Sequence, residues 1–159
     1  MSQRRRNVPE ESAAGAASVT LWNGATRMLT LNAILSPVVP GIFTANASGQ
    51  GPAAAQAMCV QPDGSQTVES VTNGIDLRSG AVYLLLCATG LRHRSSLDGV
   101  VCNISGRSLP VVYAGPQSEF PGLDQVNVLL PASLAGAGTV NVSLSVDGVI
   151  SNTAKLLFP

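Results

Sequence analysis

Apolar residues along this chain alternate with polar ones, or gather in runs of no more than about eight, and turn formers separate the runs. The alternation is clearest in Leu29-Thr30-Leu31-Asn32, Val100-Val101-Cys102-Asn103-Ile104, residues 125–130 ahead of Pro131, and Val142-Ser143-Leu144-Ser145-Val146. A period of two puts one set of side chains in a core and the other in water. Residues 81–88 are apolar throughout, which predicts a central strand covered on both faces. Asn23-Gly24 and Asp147-Gly148 each separate two β-prone runs and predict tight hairpins, the first of type I′. Gln61-Pro62-Asp63-Gly64-Ser65 is a third hairpin signature, and Pro37 with Pro40 imposes an extended joint. No window holds a 3.6-residue period; residues 132–135 allow one turn of 3₁₀ helix at most.

Strands every 8–12 residues indicate a sandwich or barrel. With about seven of them after Gly41, an antiparallel, immunoglobulin-like β-sandwich is expected over residues 37–159. Its core is predicted to hold Leu84, Leu86, Val100, Ile104, Val112, Val126, Val128, Val142, Leu144 and Leu156. Residues 1–17 read as a disordered leader, and residues 18–36 as a separate hairpin. By pattern, residues 18–35 echo residues 142–158, so the hairpin reads as the end of a truncated preceding β-module. Its expected apolar face, Leu21 with Met28 or Leu29 and Ile34, needs a cover that an upstream module would supply. Without that cover it should dock, pair with another chain or fray; a loosely held hairpin prone to self-association is favoured, since only Arg27 guards it with charge.

Charge narrows the function classes. Charged residues make up 11% of the chain, against a usual ~25%. Nine basic and nine acidic residues cancel, and apart from Arg4-Arg5-Arg6 no basic stripe suggests a nucleic-acid partner. The residues after that triplet, Asn7-Val8-Pro9-Glu10, do not make a signal peptide, and no apolar run reaches a membrane span.

Chemistry is equally sparse. Three cysteines and one histidine lack zinc-site spacing, so no metal and no cofactor are expected. Cys87 and Cys102 lie in neighbouring strands and are able to pair, but buried free thiols are the preferred reading. His93-Arg94-Ser95-Ser96 with Asp98 is read as a solvated loop, since no nucleophile elbow accompanies it; no catalytic residue is assigned. Asp63 and Asp147 are explained by turns, and Asp124 by an Asx-type turn leading into the next strand. Trp22, Tyr113 and Phe120 are the only candidates for a carbohydrate platform, and each is read first as a packing residue.

Two sets of residues carry a family resemblance. Val82-Tyr83-Leu84-Leu85-Leu86-Cys87-Ala88-Thr89-Gly90-Leu91, followed by Asn103-Ile104-Ser105-Gly106, Val112-Tyr113-Ala114-Gly115-Pro116 and Val146-Asp147-Gly148, resembles IPT/TIG-type immunoglobulin-like domains. Residues 122–131 together with Pro40-Gly41-Ile42-Phe43-Thr44-Ala45-Asn46 are similar to an uncharacterised C-terminal domain of large secreted acidobacterial proteins. Cys87-Ala88 and Cys102 depart from that pattern. The resemblance implies an extracellular or cell-surface location and neighbouring β-modules as partners, with no activity to transfer. The expected function is therefore a non-catalytic module serving as spacer, cap or adhesive unit, with a surface protein or glycan as a further expected partner. The alternative is a carbohydrate- or other ligand-binding module that uses the loops at one end of the sandwich.

Overall fold

A computed structural model describes residues 12–78 and 80–159. The first eleven residues of the expected leader lie outside the described residues. The chain falls into two units, one up to Pro37 and one from Val38 to Pro159. Every strand ladder in both is antiparallel.

The first unit is a two-stranded sheet of β1 (Gly15–Asn23) and β2 (Thr26–Leu35). Its strand begins at Gly15, three residues before the predicted start. The turn also differs from expectation: Asn23 pairs with Thr26, so the loop is Gly24-Ala25. Of these two only Gly24 has positive φ, at 59°, the requirement of a type II′ turn, where glycine belongs at the first central position. The register slips between Leu21 and Trp22, which leaves Met28 as an extra residue. That slip moves the apolar face: it comprises the pairs Ala17 with Ala33, Val19 with Leu31 and Leu21 with Leu29. Ile34 lies on the opposite face, contrary to the sequence expectation, and is 82% exposed.

The second unit contains β3 (Gly41–Ile42), β4 (Ala55–Val60), β5 (Gln66–Ser70), β6 (Ala81–Thr89), β7 (Val100–Ile104), β8 (Arg107–Pro116), β9 (Asp124–Leu129), β10 (Gly138–Val146), β11 (Val149–Ile150) and β12 (Ala154–Phe158). Strand β8 serves two partners: residues 107–110 pair with β7, and residues 111–116 pair with β9. One ladder therefore runs β10, β7, β8 with β11 and β12 on the far edge of β10; the other runs β8, β9, β6, β4, β5 with β3 against β6. Alternate residues from both ladders supply one core, giving a β-sandwich-like arrangement. Leu84, Leu86, Val126 and Val128 come from one ladder, and Val100, Cys102, Ile104, Val142 and Leu144 from the other.

Nine of the ten predicted core residues are buried. Val112 is not. A register shift between Val111 and Tyr113 makes it the unpaired bulge residue, and it is 51% exposed. The expectation for β6 also needs correction. Val82, Leu84, Leu86 and Ala88 are buried, whereas Tyr83, Leu85 and Cys87 on the other face are only half-buried. Leucine at position 85 disguised an ordinary one-sided strand as a two-sided one.

After β6 the chain turns at Gly90, which has φ +75° and whose carbonyl accepts from Val39 N–H at 2.9 Å. A Cβ there would collide with the Val39 carbonyl oxygen, so glycine is required by both conformation and space.

Truncating Leu84 or Val126 to alanine is expected to cost about 2–4 kcal/mol, through lost transfer free energy and the cavity left behind. Urea denaturation checks this; a loss under about 1 kcal/mol would mean that the two ladders do not enclose a tight common core.

Candidate functional site

Loops following β6 (residues 90–99) and β8 (residues 117–123), with the β10–β11 turn, lie at one end of the second unit. This is the end where loop-borne function is expected in a sandwich. Four charged side chains, Arg92, Asp124, Arg94 and Asp147, organise it. Arg92 Nε donates to Asp124 Oδ1 at 2.6 Å, and Arg92 Nη2 donates to the Leu123 carbonyl at 3.3 Å. Asp124 is 1% exposed, and its carboxylate is a buried ion-pair partner of Arg92, where the sequence predicts an Asx-type turn leading into the next strand. Arg94 donates from Nη1 to the Leu91 carbonyl at 3.1 Å and from Nη2 to the Ala114 carbonyl. Asp147 accepts from Ser95 N–H at 2.8 Å and from Ser95 Oγ–H at 2.6 Å. These hydroxyl and backbone bonds, with the Arg94 charge nearby, hold the Asp147 carboxyl below its usual range.

The cluster fastens loops together. Asp147 makes the positive-φ turn expected of it, with φ 48° before Gly148 at 83°. It also fixes the 90–99 loop to that turn, and the Gly99 carbonyl accepts from Asp147 N–H at 2.9 Å. His93, Ser95, Ser96 and Asp98 are exposed as expected, whereas Arg92 and Arg94 are half-buried. Among the described residues no chain of bonds links His93 to Ser95 or Ser96, the arrangement a nucleophile would use.

The predicted aromatic candidates belong to different units, Trp22 to the first and Tyr113 and Phe120 to the second. Trp22 belongs to β1 in the first unit and is 60% exposed. Tyr113, on β8 beside the bulge, donates its hydroxyl to the Pro116 carbonyl at 2.8 Å. Phe120, 60% exposed, stands in a loop that is internally bonded: Gln117 Oε1 accepts from Glu119 N–H at 2.9 Å and from Phe120 N–H at 3.2 Å, and Gln117 N–H reaches the Leu123 carbonyl at 2.9 Å. The first reading of all three as packing residues is corrected: each shows a large share of its ring to solvent. In Trp22 and Phe120 the cause is position, one beside a hairpin turn and one at a loop tip.

Cys87 and Cys102 are free thiols. Cys102 packs in the core and burial pushes its thiol up to about 12. Cys87 lies on the outer face of β6 opposite Gln125, where burial also raises it. Cys87 and Cys102 thus point to different sides of their layers and form no disulfide. Among the described residues no group of three or more His, Cys, Asp or Glu side chains is placed to hold a metal ion, and no helix is long and apolar enough to cross a membrane.

Sequence reasoning missed two bonding residues, Asn152, which joins distant segments, and Ser151, which acts within its own hairpin. Asn152 Oδ1 accepts from Ile42 N–H at 2.7 Å, while its Nδ2 donates to the carbonyls of Ile42 (3.0 Å) and Gly49 (2.7 Å). Ser151 Oγ accepts from Leu144 N–H at 2.9 Å where the ladder between β10 and its return strands is interrupted. The only signal in the sequence is a Ser-Asn pair shortly after Asp-Gly. No family model, curated protein or solved structure matches the chain.

Removing Arg92 strands a buried carboxylate. Arg92→Ala is therefore expected to cost about 3 kcal/mol, and Arg92→Ala with Asp124→Ala less than the two single losses together. A double-mutant cycle by chemical denaturation measures this, and simple additivity would show that the pair is not coupled.

Cys102 gives a pH prediction. Its folded-state value lies above its unfolded one, so its contribution is complete below about pH 9 and is lost as pH rises toward about 12. Stability measured across that window should fall less steeply in Cys102→Ala than in the unaltered protein; equal slopes would mean that Cys102 ionises as readily when folded.

Proposed function

We propose that this chain is a non-catalytic, immunoglobulin-like β-sandwich module of a secreted or cell-surface protein, acting as a structural spacer, cap or adhesive unit. One observation carries the reading: at the loop end, charged groups are spent on holding the fold. Arg92 is bonded to Asp124, Arg94 to two carbonyls and Asp147 to Ser95. An active site needs the reverse, polar groups converging on a space where substrate sits. The low content of charge, with neutral Ser, Thr and Asn making up much of the polar surface, supports an extracellular setting. So does the resemblance to IPT/TIG-type domains and to the closing domain of secreted acidobacterial proteins. Neighbouring β-modules are the natural partners of such a unit.

A second reading, a carbohydrate- or other ligand-binding module, has one specific observation in its favour. Phe120 is held exposed at the tip of a loop whose own bonds fix its shape, and Tyr113 stands half-exposed on the strand that leads into it.

A glycan array separates the two readings. The structural reading expects no binding above background, with Trp22→Ala and Phe120→Ala giving the same blank result. Binding that Phe120→Ala abolishes, with Trp22→Ala unaffected, would establish the loop as a ligand site and displace it.

A further inference from the structure

The hairpin of the first unit repeats, pair for pair, the hairpin that closes the second. Gly15 faces Leu35 as Gly138 faces Phe158, Ala17 faces Ala33 as Val140 faces Leu156, and Val19 faces Leu31 as Val142 faces Ala154. Near the turn, Asn23 opposite Thr26 matches Val146 opposite Val149. Each hairpin also carries one extra residue on its return side between these two stretches. The equivalence thus begins at Gly15 and is set one residue away from the alignment that matching Asn23-Gly24 to Asp147-Gly148 suggests.

The two copies differ in what covers them. In the second unit Val142, Leu144, Ala154, Leu156 and Phe158 are core residues, and β7 pairs with the outer edge of β10 from Val142 to Val146. The matching Val19, Leu21 and Leu31 are each more than half exposed, and the sheet holding them has only two strands. On the opposite face Ser18 bonds Asn32 and Thr20 bonds Thr30, both at 3.2 Å, with the exposed Ile34 beside them opposite Ala16. Val19, Leu21 and Leu31 thus present a continuous apolar surface on the side that in the counterpart hairpin carries a core.

We propose that this apolar face, with the outer edge of β1, is a docking surface for the β3–β9 portion of a second β-sandwich module of the same kind. A strand equivalent to β7 joins β1 antiparallel along residues 19–23, and the opposing ladder covers Val19, Leu21, Leu31 and their neighbours. The chain itself shows what covers such a hairpin, which is why a module and not an arbitrary apolar surface is the occupant. The match has one gap: Met28 and Leu29 stand where Ser151 and Asn152 make their bonds. The inference rests on the reading of the chain as a structural module and adds the surface through which such modules join.

The test supplies a β3–β9 portion from the chain's own sequence. Residues 38–137 are inserted between Ala14 and Gly15 of the full chain, so that the β1–β2 hairpin follows them as β10–β12 follow them natively. Amide hydrogen exchange is read on β1 and β2, with the unaltered chain as reference. The expected result is slowing by roughly a hundredfold or more, to the level of β6 and β10, consistent with entry into a cooperatively protected unit. Leu21→Ser with Leu31→Ser should abolish it. A second insertion protein carrying Met28→Ser and Leu29→Asn restores the missing bonds, and a control with residues 38–159 inserted shows that a complete module folds at that position.

If the control folds and neither insertion protein protects the hairpin, the proposal is overturned. It is equally overturned if the unaltered chain already protects its hairpin, with sedimentation then assigning the cover to its own second unit in a monomer or to a second copy in a dimer. A positive glycan array beside a protected hairpin would displace the structural reading alone, and a blank array beside an unprotected hairpin would displace the docking surface alone.

Discussion

A strand that hydrogen-bonds into two sheets at once has to bend, and the second unit depends on that bend. Strand β8 leaves β7 after Pro110 and takes up β9 from Val111. The extra residue at Val112 breaks the ladder and lets the strand change partners without stranding a row of backbone donors. Proline at 110 fits the same place, because it cannot supply a ladder N–H there. The two inner faces, with Leu84, Val126, Leu144 and Ile104 among them, then close on each other. The loop that carries Phe120 and the carbonyl that receives Arg94 are set by the second half of the same strand.

With so few charges, the unit satisfies its irregular backbone mostly through neutral groups. Ser151 replaces a ladder bond at the interruption before β12, and Asn152 presents both a donor and acceptor to Ile42 as another strand would. An amide suits that place because it offers both polarities at once. Asp124, the one deeply buried carboxylate among the described residues, is neutralised by an arginine whose remaining surface meets solvent. Such a pair adds little net stability but fixes how the loop is arranged, since a wrong partner would leave a bare charge.

Much of this was legible in the sequence because period-two alternation and Gly-containing turns are local signals. Val100-Val101-Cys102-Asn103-Ile104 and Val142-Ser143-Leu144-Ser145-Val146 alternate in the structure as they do on paper. What escaped was set by single-residue slips and by distance along the chain. A bulge turned Val112 outward, and another beside Leu21 moved Ile34 to the polar face; neither leaves a compositional trace. Arg92 with Asp124, and Asn152 with Ile42, join residues far apart in sequence, and one unaligned chain carries no sign of such pairings. The loop end was harder still, because exposure of Phe120 depends on the bonds made by Gln117, which no residue type announces.

The bonds that join the start of the second unit to its last strand have a mechanical meaning. Lys155 N–H reaches the Gly51 carbonyl at 2.7 Å, Ala53 N–H reaches the Lys155 carbonyl at 2.8 Å, and Pro52 and Lys155 form a parallel bridge. Parallel neighbours pulled from opposite ends slide along each other, so their bonds bear tension together instead of parting one by one. Asn152 adds three more bonds to the same seam. A tensile load entering near Val38 and leaving near Phe158 would meet this shear clamp before it reached the core, a property suited to a link in an extended chain under strain.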